Sequence, residues 1–297
     1  GARDLHLMTS SGDMHIRVTR KGKVMLTRSA ELSRVAVVLP HDRVKKLPLT
    51  AFDSSALMRT IGFSDAQGNI RASMRGKYDQ VNEFLKVVKE VLDGKADRNR
   101  PFVVVDCGCG KAYLTLALRQ YLMEVLGFGE VKVIGVDRRA DVIGSARSMA
   151  ELLDCKDSAV FVESDLEKFN LSDAGVERVD MVVSLHACDT ATDEALAKAV
   201  EWKARYILSA PCCQHELNKA IGPSQAPAFA GLLRQSILRE RLCDLLTDSF
   251  RAMILRILGF KTQVIEFVSP DSTQRNIMLK CEYSVKPGQP GPVCEYL

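Results

Sequence analysis

Three short stretches gather the residue types that can do chemistry. "DCGCGKAY" holds Cys107 and Cys109 among glycines, "SLHACDTATD" holds His186, Cys188 and Asp189, and "LSAPCCQHEL" holds Cys212, Cys213 and His215. Adjacent cysteines followed by a histidine could be a disulfide, half of a metal site, a redox pair or a pocket wall. Structural zinc favours pairs of ligands two to four residues apart, and no Cys-x-x-Cys pair occurs, so no metal is expected. No flanking residue marks these thiols for activation, so a cysteine nucleophile is not expected either. A pocket wall remains, with His186, Asp189 and His215 as candidate bases. Which of these apply depends on the elements that deliver them.

From Pro101 onward the pattern is strand, turn, helix, repeated. "FVVVD", "VKVIGVD", "AVFVESD", "VDMVVSLHACD" and "ARYILSAPCC" are apolar runs separated by stretches of helical period. Strands apolar on both faces and alternating with helices form a parallel sheet covered on both sides. Two more strands, "KTQVIEFVS" and "NIMLKCEY", are joined by a connection too short for a crossover helix, so they pair antiparallel. The expected fold is α/β: a doubly wound, seven-stranded, Rossmann-like sheet with a small basic N-terminal α+β module.

In such a sheet the ligand sits outside the carboxyl ends of the strands. The first turn reads Asp106-Cys107-Gly108-Cys109-Gly110-Lys111-Ala112, with Tyr113 where a dinucleotide fingerprint wants glycine. Nor is there a Gly-Lys-Ser/Thr to hold a triphosphate. Asp137 ends the second strand, placed to accept hydrogen bonds from a ribose diol, and Asp165 ends the third, beside where adenine would lie. Acidic groups at three successive strand ends, with no phosphate-binding cation, suit a cationic nucleoside without phosphate. S-adenosylmethionine is such a ligand.

Over about residues 101–285 these motifs resemble those of class I S-adenosylmethionine-dependent methyltransferases. "DCGCGKAYLTLAL", "VIGVDRR", "SLHACDTATDEAL", "APCCQHEL" and "RLCDLLTDSFRAMILRILGF" resemble one branch in particular. It includes bacterial methyltransferase-domain proteins, the methyltransferase-like 25 type and, more distantly, tRNA 2′-O-methyltransferases with a Cys-Cys-His-His stretch. The resemblance implies that Asp106, Gly108 and Gly110 lie along the methionine part of the cofactor. It also implies that Lys77 and Gln80, in "KYDQVNEFLKVV", stand near the cofactor's mouth. The chain departs from the common pattern at Ala112, where many members have glycine. It also lacks the Asn/Asp-Pro-Pro-aromatic motif after the fourth strand, which disfavours methylation of an exocyclic nitrogen.

The chain has 297 residues, 46% hydrophobic and 26% charged, enough for one large domain and an appendage. The expected division is a basic module at 1–76, a connecting helix and linker at 77–100, the methyltransferase domain at 101–285 and a flexible tail at 286–297. Residues 1–100 hold 19 Lys+Arg against 11 Asp+Glu, whereas the remainder holds 22 against 26. Within the module, "MHIRVTRKGKVMLTRS" alternates around Lys21-Gly22 as a hairpin does, and "VAVVLP" reads as a further strand. Arg20, Lys21 and Lys23 would grip phosphates, with Cys212 and Cys213 shaping the acceptor's side of the pocket. RNA is therefore the expected substrate, a protein or small molecule the alternative, and a cofactor-binding module without turnover the third reading. Nine cysteines without a disulfide framework fit the cytoplasm. No apolar run spans a membrane. Starting at Gly1 rather than Met is what a fragment or processed form shows, so a missing signal pattern says little about targeting. The sequence leaves the oligomeric state open.

Overall fold

The computed structural model describes residues 4–9, 12–19, 22–28, 47–185, 187, 189–211, 215–268, 276–284, 286–288 and 290–296. The chain divides into two compact units, residues 1–46 and 47–297.

The first unit is an antiparallel meander of β1 (Asp4–Thr9), β2 (Gly12–Val18) and β3 (Val24–Arg28). β2 and β3 form the hairpin expected around Lys21-Gly22. Their last pair is Val18 with Val24, and the Thr19 N–H donates to Lys23 O at 2.9 Å beyond it. β1 is a strand the sequence reading missed, because adjacent Leu7 and Met8 interrupt the alternation of "DLHLMT". The expected strand "VAVVLP" lies outside the described residues, as do Arg20 and Lys21.

The second unit opens with α1 (Ser55–Thr60) and α2 (Arg75–Leu92). Five parallel strands follow: β4 (Phe102–Cys107), β5 (Val131–Asp137), β6 (Ala159–Glu163), β7 (Met181–Leu185) and β8 (Tyr206–Ala210). The helices between them are α3 (Tyr113–Glu124), α4 (Ala140–Leu152) and α5 (Thr190–Glu201). After β8 come α6 (His215–Ala220), α7 (Ala230–Leu233) and α8 (Ser236–Ile257). The unit closes with β9 (Phe260–Glu266), β10 (Ile277–Tyr283) and α9 (Pro290–Tyr296). The sheet order is β6-β5-β4-β7-β8-β10-β9, with β10 antiparallel to both its neighbours, as the short connection before it requires. Strand order reverses at β4, so a crevice must open where the chain leaves β4 one way and β7 the other.

Each face of this sheet buries its own apolar cluster. On one, Val104, Val133 and Met181 pack with α2, α3 and α4; on the other, Val105, Ile134 and Val182 pack with α5 and α8. Residues 47–100 differ from their expected role as module and linker. Leu49, Leu57, Phe63, Phe84, Leu85 and Val88 are all 0–1% exposed in the first cluster. At about 1.5–3 kcal/mol per buried large side chain, these residues are structural members of the sheet unit. Buried Asn82 on α2 fixes the entry segment: its side chain accepts the Leu49 N–H at 3.0 Å and donates to Tyr78 O at 2.9 Å. The expected tail also carries a helix, α9, which contacts α8.

Candidate functional site

A cleft of about 980 Å³ opens at the carboxyl ends of β4, β5, β6 and β7. Its floor is the turn from β4 to α3. Gly108 and Cys109 donate their N–H groups to Val136 O, at 2.8 and 3.1 Å, stitching the turn to the end of β5. Gly108 (φ +77°) and Gly110 (φ +51°) are in the left-handed region that favours glycine. Ala112 is there too, at φ 56°, directly before α3. That backbone explains why glycine is the commoner choice at this position.

Three carboxylates meet the cleft in different states. Asp106 is 2% exposed, and its Oδ2 accepts the Thr115 hydroxyl at 2.5 Å. Burial pushes its pKa up to about 7; the Thr115 bond opposes this and nearby Asp137 adds to it. Asp137 gathers backbone donors: Gly110 N–H on Oδ2 and Arg139 N–H on Oδ1, each at 3.0 Å. The same carboxylate that could receive a diol thus also ties the glycine turn to the start of α4. Asp165 is exposed on the β6 side, and its hydrogen bond to Lys168 holds its carboxyl below the usual range.

Lys77 and Gln80, from α2, also line the cleft, with Lys77 Nζ 5.2 Å from the centre of the Tyr113 ring. The sequence reading finds no phosphate-binding cation in the motifs and places Lys77 at the mouth through the resemblance. Lys77, Lys111, Arg138 and Arg139 are exposed at the rim, above a floor whose buried charge is acidic. Lys77 reaches the rim because α2 packs into the first core. Burial raises the pKa of the Cys107 and Cys109 thiols, which makes both poor nucleophiles.

The opposite wall comes from the loop between β7 and α5 and from the start of α5. Ala187, Asp189, Thr190, Ala191 and Glu194 line it. Ala187 Cβ is 3.7 Å from where a Cβ on Gly108 would stand, so the two strand ends approach closely. Asp189 adopts φ 55°, ψ −128°, a strained backbone for a residue with a side chain, and its Oδ1 accepts the Glu216 N–H at 3.1 Å. His215 opens α6, is exposed, and does not line the cleft. Lys23 is exposed in the first unit. His186, Cys188, Cys212 and Cys213 lie outside the described residues. Sequence reasoning missed Thr115, Ser164 and Glu194. Only Thr115 carried a signal, a polar residue on the otherwise apolar buried face of α3.

A doubly wound sheet with a glycine turn, a buried acid and an acid at the end of the second strand defines a nucleoside-binding α/β domain. Residues 76–220 match the protein-family model described as "Methyltransferase domain". These residues of the chain form a methyltransferase domain. Its fold is similar to a Podospora anserina methyltransferase bound to S-adenosylhomocysteine, with 11% identity over 77% of this chain and 88% of that one, TM-score 0.44. It is also similar to an rRNA methylase from Streptococcus thermophilus, with 15% identity over 69% and 96%, TM-score 0.42. A third similar structure is the N-terminal domain of human METTL16 with S-adenosylhomocysteine, with 14% identity over 91% and 88%, TM-score 0.43.

The residues present fit S-adenosylmethionine, the cofactor expected from the sequence. A buried acid with a raised pKa gains from a cationic neighbour, Asp137 offers carboxylate oxygens, and the left-handed glycines allow close approach to the backbone.

Proposed function

We propose that this chain methylates RNA, with the cofactor in the cleft at the ends of β4 to β7. The observation that carries the RNA reading is the separation of charge. Residues 1–46 hold ten Lys+Arg against four Asp+Glu, while residues 47–297 hold 31 against 33. A basic unit joined in sequence to a near-neutral one suits a phosphate backbone, and the four rim cations suit it too. The rRNA methylase among the similar structures is consistent with such a substrate.

When bound, the cofactor supplies an electrophilic methyl group on a sulfonium, whose departing thioether needs no proton. The protein's task is alignment and removal of the acceptor's proton. Asp137 takes the ribose diol, Asp165 lies beside adenine, and Asp106, Gly108 and Gly110 flank the cationic end. Lys77 and Gln80 close the mouth. β4 lies between β5 and β7, so the reacting end faces the β7 loop, where Asp189 with His186 serves as base for a hydroxyl acceptor. Cys212 and Cys213 shape the acceptor's side, and Arg20, Lys21 and Lys23 grip phosphates.

The test supplies isotopically labelled methyl cofactor with total RNA and, separately, total protein from one extract. Label in RNA is the expected result. Label confined to protein, or absent from both, overturns the reading. Neutralising Arg20, Lys21 and Lys23 together should flatten the slope of log affinity for RNA against log salt by about 3.

A further inference from the structure

Arg251, on α8, is 4% exposed and does not itself line the cleft, yet it is the hub of a network beneath one wall of it. Its Nε and Nη2 donate to the two carboxylate oxygens of Asp193, each at 2.7 Å. Nη1 donates to Asp248 at 3.1 Å, and Nη2 also reaches the backbone carbonyl of Asp189 at 3.1 Å. That carbonyl belongs to Asp189, whose backbone is strained and which lines the cleft. A second bond secures the same loop: the hydroxyl of fully buried Thr192 donates to Ala187 O at 2.6 Å.

A salt bridge that only fastened α8 to α5 would need Asp193 and no more. Here the guanidinium is divided between a carboxylate on the first turn of α5 and the carbonyl of Asp189. Only a planar fork of several donors can hold both at once. The buried Asp248 takes Nη1, so that all three guanidinium nitrogens are bonded within the protein.

We infer that Arg251 is a positioning residue for methyl transfer: it fixes the β7–α5 loop so that Asp189 presents to the acceptor, and contributes little to holding the cofactor. This rests on the proposed function, since it takes the β7 side of the cleft as the acceptor side. Misplacing a catalytic group by about 1 Å costs about 100-fold in rate, whereas the Gly108, Asp137 and Asp165 side of the cleft makes no bond to Arg251.

The test compares the full chain with Arg251→Lys, which keeps a cation beside Asp248 but loses the fork. Asp193→Asn is the second variant; it breaks the clamp at a half-exposed carboxylate and leaves the Arg251–Asp248 pair intact. Two quantities are read: the Kd for S-adenosylmethionine by calorimetry, and methyl transfer at saturating cofactor into the RNA and protein fractions of one extract. Expected is a Kd within about 3-fold of wild type and transfer lowered by about 10- to 100-fold, in whichever fraction wild type labels. Unchanged transfer overturns the inference, and so does a loss of Kd in proportion to the loss of transfer. If wild type labels neither fraction, the proposed function falls separately, and the clamp is judged by hydrogen exchange. Amides of 187–193 should then exchange at least about 10-fold faster in both variants while β4 and β5 keep their protection. Equal protection of the loop overturns it.

Discussion

Replacing Asp106 by Asn should make the cofactor-free protein less sensitive to alkaline pH, and the size of the effect follows from the burial of one carboxyl group. Asp106 holds its proton up to about pH 7 in the fold, against an ordinary value of 3.8. Between those values the folded state binds more protons than the unfolded chain. The contribution is therefore fully present below about 3.8 and is lost as pH rises through 7. At about 1.4 kcal/mol per tenfold difference in proton affinity, the raised pKa costs the fold about 2 kcal/mol at pH 5, where Asp106 stays protonated while the unfolded chain ionises, and about 4 kcal/mol at pH 8, where it is ionised in both. Asparagine keeps an acceptor for the Thr115 hydroxyl and carries no charge. Whatever its amide costs by being buried is the same at both pH values and cancels. Urea unfolding of both proteins at pH 5 and pH 8 should show wild type losing about 2 to 3 kcal/mol more than Asp106→Asn over that interval. Equal losses in the two proteins would refute the reasoning, because they would mean that the carboxyl is solvated or already neutralised in the fold.

The same group links cofactor binding to pH. A cation bound against Asp106 favours its ionised form, so calorimetry should show wild-type affinity strengthening by about tenfold from pH 6 to pH 8, and Asp106→Asn should be flat. Gly135→Ala places a Cβ 2.6 Å from the buried ring of Phe161 and 2.9 Å from Cys109 Sγ. It should cost about 1–3 kcal/mol in urea unfolding and weaken cofactor binding through the displaced glycine turn. Ala112→Gly exchanges relief of the left-handed backbone, about 1–2 kcal/mol, for a lost buried methyl and a freer unfolded chain, so its melting temperature should stay within about 2 °C of wild type. Asn82→Ala leaves the Leu49 N–H unpartnered in the core and should destabilise by about 1–3 kcal/mol, read by urea unfolding.

What the sequence revealed was local. Apolar runs of strand length, helical spacing and the Gly108/Gly110 turn each depend on near neighbours, and they placed the strands, the sheet class and the acids at its edge. What it hid depends on distant contacts. The stretch around Leu49 and Phe63 looks like module because it is short, holds a proline and directly follows the basic run "HDRVKK". It joins the sheet unit through Asn82 and the first core. The rim cations Lys77 and Arg138 come from elements over 50 residues apart, and no spacing rule links them. Arg251 left a faint trace, a charged residue three positions after Asp248 on the buried side of α8, but its partners Asp189 and Asp193 lie about 60 residues earlier. Asp137 was legible as an acceptor but not as the group that holds the glycine turn.

The central claim is that this cleft binds S-adenosylmethionine, and it is tested most directly by calorimetric titration of the full chain and of Asp137→Ala. Wild type should bind the cofactor. The variant loses the carboxylate that serves both the ribose diol and the Gly110 N–H, at about 1.5–3 kcal/mol per charge-assisted hydrogen bond, so its affinity should fall by about 100-fold or more. No binding to wild type, or equal affinity in the two proteins, would contradict the account.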